Sequence, residues 1–450
     1  MKIRSGCCAK PSGPGYKTPA DAMKGPREKI LYVACIQPYP EEKKSPDYIA
    51  TVDVDPSSPS YCRLIIHRAS CCNDATKKRN KIIVPALGSD RIHIFSVDDP
   101  KAPKLIKVIQ PEEVHALNAS ALHTTHCLPS GDIMISAMGD GIYNSSFSPL
   151  SLGVWTDQEN IKPAKFGYDF WYQPYWDTMI SSEWAPRRSN SGITPYKIYG
   201  RSLNVFSWSK RKLTQIINLG PEGITPLELR FLHEPTAAEG FVGCGYPGHI
   251  FRYSFFRKDD GSWDAEKVIH IPKKKVIGHA EPEIGGMTLD IVLSMDDRFL
   301  YTNNWMHGDI CQYDITDTRH PKLVGQIFLG GKLLKDGPLK LIDEEQPEPV
   351  YVKGRKLDGA PQMMQLSLDG KRLYVSTAVF TPWDKQFYLE HVNNGSTLVK
   401  VDVNTETGGL TLDPDFLVDF GKEPNGPILA HEIRYPGGDC TSDIFMKQPE

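Results

Sequence analysis

The chain has 450 residues, with 52 basic and 55 acidic side chains, a formal net charge of −3 and 40% apolar residues. This near-neutral balance gives no long-range pull on nucleic acid or anionic lipid, and no apolar run of about 18 residues is present to cross a membrane. The length exceeds the roughly 250–300 residues at which one compact core stops growing, so several domains or a repetitive fold are required.

Strand signals dominate. In chain order they are Lys29-Ile-Leu-Tyr-Val-Ala-Cys35, Tyr48-Ile-Ala-Thr-Val-Asp-Val54, Lys81-Ile-Ile-Val84, Arg91-Ile-His-Ile-Phe-Ser-Val97, Asp132-Ile-Met-Ile-Ser136, Phe299-Leu-Tyr-Thr302, Arg372-Leu-Tyr-Val-Ser-Thr377 and Leu398-Val-Lys-Val-Asp-Val403. Each is short, rich in Ile, Val or Tyr, and bounded by Gly, Pro, Asn or Asp. Only two short helices are expected, over Pro111–Ala119 and after Thr381-Pro-Trp-Asp384. The pattern predicts an all-β fold.

Two internal repeats refine this reading. The segment from Ser89 to Leu105 parallels that from His307 to Leu323 at a constant offset of 218 residues, with Phe95 matching Tyr313 and Leu105 matching Leu323. Each copy reads as a strand, a reverse turn, and Pro-Lys-Leu opening the next strand. A turn followed by a strand recurs near residues 131, 177, 240, 297 and 370, a spacing of 46 to 73 residues. That suits one four-stranded blade plus loops, given about 40–50 residues per blade. The expected architecture is one β-propeller domain over residues 1–450, with seven or eight blades by this spacing. Two stacked β-sandwiches would instead call for a linker near the middle, and none is visible.

The ten cysteines are scattered and form no CxxC pair, and Cys7-Cys8 and Cys71-Cys72 stand too close together for tetrahedral zinc. The opening Met1-Lys-Ile-Arg-Ser-Gly-Cys-Cys8 lacks the apolar core of a secretory signal. Reduced thiols in the cytoplasm are therefore expected. His123 and His126 form the tightest histidine pair. On a regular strand residues i and i+3 face opposite ways, so both reach one metal only if a turn intervenes. His307 precedes a Gly-Asp turn, His431 precedes an apolar strand, and His233 lies before Glu234-Pro235. His249, His279 and His320 show no partner. Any one of these histidines is also accounted for as a packed or capped residue. Asp296-Asp297 and Asp369-Gly370 read as hairpin turns rather than calcium ligands. The aromatic run Tyr168–Trp176 reads mainly as packing, with channel lining as the alternative. Glu228, Asp290 and Glu432 are the carboxylates that a metal-dependent hydrolase would need to converge.

Near full-length matches carry a resemblance. They include Met23-Lys-Gly-Pro-Arg-Glu28, Asp47-Tyr-Ile-Ala-Thr-Val-Asp-Val-Asp-Pro56, His123-Thr-Thr-His-Cys-Leu-Pro-Ser-Gly131, Glu228-Leu-Arg-Phe-Leu-His233, Trp383-Asp-Lys-Gln-Phe-Tyr388 and Ala430-His-Glu-Ile-Arg-Tyr-Pro-Gly-Gly-Asp-Cys440. The sequence resembles the selenium-binding protein family, also called methanethiol oxidase. The resemblance implies a seven-bladed β-propeller. It implies oxidation of a small thiol with dioxygen and water to aldehyde, hydrogen sulfide and hydrogen peroxide. It also implies a copper site, with His123, His126, His307 and His431 as ligand candidates, and Cys62 as the selenium-binding cysteine. The expected partners are the thiol and dioxygen, with protein partners as a further option, and with no nucleic acid and no integral membrane association. Some relatives visit the nucleus or peripheral membranes. The other function the resemblance allows is a non-catalytic selenium-binding scaffold for protein partners, as in intracellular protein transport. The chain departs from the family pattern after His67, where a paired His-His is missing, and over residues 140–165.

Overall fold

The computed structural model describes residues 16–62, 64–65, 80–128, 132–139, 167–185, 198–256, 261–436 and 438–447. The adjacent cysteine pairs, His67 and both divergent segments lie outside these residues. The fold is all-β, and every strand pairing is antiparallel. Helices are short pieces, including Pro111–His115, Thr381–Phe387 and Leu389–Asn394. None is long and apolar enough to cross a membrane.

Seven sheets follow one another along the chain, and two small ones are inserted between residues 274 and 356. The first sheet contains Ile30–Ile36, Tyr48–Asp53 and Leu64–Ile65, and the second Lys81–Pro85, Ile92–Ser96 and Lys104–Ile109. The third holds Ser120–Cys127 and Ile133–Gly139. The fourth to seventh are four-stranded meanders beginning at Phe170–Gln173, Pro226–Phe231, Ile291–Leu293 and Met364–Leu366. The late strand Leu429–Arg434 returns to pair with Ile30–Ile36, completing the first sheet with Val33 opposite Ile433.

The repeats read from the sequence are structural. Phe95 pairs with Leu105 and Tyr313 with Leu323, each beside a bulge at the equivalent place. The recurring turns near 177, 240, 297 and 370 each join the first strand of a sheet to its second, and the one near 131 lies outside the described residues. Asp177 and Asp297 take the left-handed backbone conformation there, and Gly370 fills the corresponding need at residue 370.

Apolar alternation makes each sheet face pack on the next. Ile82 and Tyr32 join the first and second sheets, and Ile94 and Leu122 the second and third. Met134 meets Met179, and Phe206 meets Leu229 and Tyr253. Phe241 and Ile250 meet Leu293 and Leu300, while Tyr301 meets Leu366. Phe416 and Leu398 then pack on Leu31 and Val33. Each such side chain contributes about 1.5–3 kcal/mol when fully buried.

A polar clasp recurs between sheets. A side chain on a second strand donates to a carbonyl at or just before the leading strand of the next sheet, which for the first sheet is Leu429–Arg434. Ser136 Oγ donates to Tyr168 O at 2.7 Å, and Ser182 Oγ to Leu227 O at 2.6 Å. Asn303 Nδ2 donates to Gln362 O at 2.6 Å, and Ser376 Oγ to His431 O at 2.6 Å. These bonds satisfy buried carbonyls at the junctions between sheets.

Candidate functional site

The leading strands of neighbouring sheets touch one another, and their polar residues meet at this seam. Arg230, 4% exposed, is its centre. Its Nη1 donates to Asp169 Oδ2 at 2.8 Å and its Nη2 to Glu228 Oε2 at 2.8 Å, while Asp290 Oδ1 lies 4.0 Å away. The guanidinium also stands over Trp171, 5.1 Å from the ring centroid. Asp169 and Asp290 serve as inter-sheet anchors as well: Asp169 Oδ2 accepts from the Leu229 N–H and Asp290 Oδ2 from the Met364 N–H.

Three carboxylates around one cation leave excess negative charge in a dry place. Burial, reinforced by Glu228, pushes Asp169 up to about 6. Burial raises Asp290 well above the ordinary carboxylate range. Burial works against the charge on Arg230, but Glu228 and Asp169 hold it charged. Glu228 and Asp290 thus converge on a guanidinium rather than on an open metal position, and Glu432 pairs with Arg434 at 3.4 Å.

Both histidines of the sequence pair lie on Ser120–Cys127, and a register shift between Leu122 and Thr125 breaks the regular alternation between them. His123 rests on Tyr168 with ring centroids 4.0 Å apart, and its Nδ1 lies 3.0 Å from Thr124 Oγ1. His126 is enclosed by Phe170, Trp171 and Tyr172, and its buried Nδ1 has no hydrogen-bond partner. Burial lowers both imidazoles to about 4, so both are neutral at physiological pH. His431 donates from Nδ1 to Ala378 O at 2.8 Å, which leaves its Nε2 lone pair free. His431 is near enough to His123 to oppose its protonation.

The other two expected site residues lie elsewhere. His307 Nε2 bonds Ile284 O at 3.2 Å, and the charges it feels are Asp309 of the sixth sheet and Lys274 and Glu344 of the inserted region. Cys62 sits half-buried beside the packing between the seventh and first sheets, in a left-handed conformation, with its N–H donating to Asp53 O. Its thiol is raised, chiefly by burial, and among the described residues its charged neighbours are Lys353, Asp413 and Lys400. The structure therefore places His431 near enough to His123 to affect its charge, sets His126 in an aromatic cage, and gives His307 and Cys62 other neighbours.

Beside the imidazoles lies a feature the sequence reading missed. A small cleft with a cavity volume of about 20 Å³ is lined by Trp184, Tyr199, Leu227, Tyr246, Met287 and Trp383, among others. Trp184 packs on Tyr168 at 5.4 Å, one ring away from His123. Leu227 and Leu289 in its wall are the sequence neighbours of Glu228 and Asp290. The arrangement offers a small apolar molecule an aromatic wall next to neutral nitrogen donors. Among the residues that form it, only the family match at Trp383 stood out in the sequence.

The family model for the 56 kDa selenium-binding protein matches residues 10–446. Methanethiol oxidase from Xenopus tropicalis is 51% identical, over 96% of this chain and 98% of that protein. Methanethiol oxidase from Homo sapiens is 48% identical, over 99% and 100%. The X-ray structure of a hypothetical selenium-binding protein from Sulfolobus tokodaii superposes with a TM-score of 0.82 at 32% identity, covering 96% of this chain and 98% of the other. A match to a family model along nearly its whole length, with relatives at half identity, places this chain in the 56 kDa selenium-binding protein family.

Proposed function

We propose that this protein oxidises a small thiol, methanethiol or a close analogue, with dioxygen and water to aldehyde, hydrogen sulfide and hydrogen peroxide. In the case of methanethiol, carbon loses two electrons and dioxygen gains them, giving formaldehyde with all atoms balanced. The observation that carries this reading is the aromatic cleft whose Trp184 packs on Tyr168, the ring against His123, in a chain half identical to proteins named methanethiol oxidase. Trp184, Tyr199 and Trp383 would hold the methyl group and exclude water. Asp169, raised to about 6 and close enough to His123 to affect its charge, is placed to hold or release a proton.

The donor chemistry at the seam fits copper in part. His123 and His431 are neighbouring imidazoles of which His123 is held neutral by burial, and the backbone bond of His431 fixes its free nitrogen as Nε2. His126 and His307 do not converge on them. Copper bound there would supply electron transfer between thiol and dioxygen. Cys62, apart from the imidazoles, would bind selenium independently. The seven successive sheets, packed in order and joined first to last by Leu429–Arg434, support a single seven-bladed propeller. The six described cysteines are free thiols, which suits a reducing compartment such as the cytoplasm.

The test is turnover. Full-length protein loaded with copper should release peroxide and sulfide in equal amounts from methanethiol, and His431→Ala should lower copper affinity by about 10-fold or more. Folded, copper-loaded protein without turnover overturns the oxidase reading. Retained labelling of Cys62 by selenite in that case would favour a selenium-binding scaffold.

A further inference from the structure

A second cluster of metal-ligating side chains lies at the end of the fifth sheet. His249 opens the strand His249–Phe256 and His270 follows the strand Ser262–Ile269. Ile250 pairs with Ile269, so the two histidines stand opposite each other across the ladder, with ring centroids 4.5 Å apart. Glu222 reaches in from the turn Pro221–Gly223, and its Oε1 is 4.0 Å from His249 Nε2. One ligand atom from each residue lies within 4.8 Å of the other two, and no other trio of His, Cys, Asp or Glu among the described residues is so placed.

The second observation is at His249 itself. It is 6% exposed, yet its Nδ1 is buried without a hydrogen-bond partner. A buried imidazole normally uses both nitrogens.

We propose that Glu222, His249 and His270 bind a divalent cation of the zinc class, with water in the fourth position. Two imidazoles and a carboxylate are the donor set of open zinc sites. Tetrahedral bonds of about 2.0–2.2 Å put ligand atoms about 3.4 Å apart, so the present spacing must close by roughly 1 Å. Glu222 and His270 are exposed and can move, while His249 is the fixed anchor. Lys267 Nζ bonds Glu222 Oε1 and supplies the counter-charge when no ion is bound, so the cation must displace it. Thr225, three residues after Glu222, and Tyr246, three residues before His249, both lie in the wall of the cleft. A bound ion therefore ties together two segments that shape the thiol pocket.

Chelator-stripped full-length protein would be titrated with Co²⁺, followed by its visible absorption, and then with competing Zn²⁺. The background would carry His123→Ala and His431→Ala, so that the seam imidazoles take no part. One equivalent should bind with the intense band of tetrahedral cobalt. His270→Ala and Glu222→Gln, both at exposed positions, should each weaken binding by about 10-fold or more. Lys267→Met should tighten it. Unchanged affinity in His270→Ala and Glu222→Gln, or no binding at about 1 mM Zn²⁺, overturns the proposal.

Discussion

Replacing Arg230 by methionine keeps much of the side-chain volume and removes the cation at the seam. Asp169, Glu228 and Asp290 then share a buried space with no counter-charge. Breaking a buried ion pair by removing one partner costs about 3–5 kcal/mol. With an unfolding entropy near 2.1 cal/mol/K per residue, 450 residues give about 0.95 kcal/mol/K, so the expected fall in Tm is about 4 °C. The pH dependence is the sharper signature. Asp169 is raised from 3.8 to about 6 in the folded protein. Its contribution to stability is therefore fully present below about pH 3.8 and is lost as pH rises through about 6, a swing of about 3 kcal/mol. Arg230 opposes that rise, so its removal pushes Asp169 and Asp290 higher still. The deficit of Arg230→Met relative to the parent should be larger at about pH 8 than at about pH 5, and Asp169→Asn in the same chain should recover part of it. Urea unfolding of parent, single and double variants across this range is the assay. A deficit below about 1 kcal/mol, or one independent of pH, would refute the account of the seam as an under-neutralised charge cluster.

Asn303 links two sheets through four backbone groups, accepting from the Leu289 and Asp290 N–H groups and donating to Pro361 O and Gln362 O. Asn303→Ala strands them all, at about 1–3 kcal/mol for each group left buried and unpaired, and urea unfolding should show a total loss above about 3 kcal/mol. The Cys62 thiol is raised by burial, so iodoacetamide should alkylate it more slowly at neutral pH than an exposed model thiol, with the rate still climbing near about pH 9. Mass spectrometry of the labelled peptide measures this, and rapid labelling at neutral pH would contradict the burial argument.

Local features of the fold were legible in the sequence because they are set by local chemistry. The 218-residue offset reappears as matched registers with matched bulges, and the hairpin turns at 177, 297 and 370 place Asp or Gly at a left-handed position. All eight strand signals coincide with strands to within a few residues. The site was only partly legible, because its contacts cross from sheet to sheet. Glu228 and Asp290 stood out as carboxylates, but nothing near either announces that Arg230 lies between them. His126 and His307 look like ligands by residue type, yet an aromatic cage claims one and a backbone carbonyl the other. His249 showed no partner because its partner is set by the register of a hairpin, with His270 opposite it 21 residues on.

The pairing of Leu429–Arg434 with Ile30–Ile36 has a consequence for biosynthesis. Residues near 30 leave the ribosome early, but their neighbour is not yet translated, so that edge must wait while every intervening module is made. His431 rides on the same late segment. A nascent chain thus carries neither a completed first sheet nor His431, and the junction between the last sheet and the first can close only once that final strand is made.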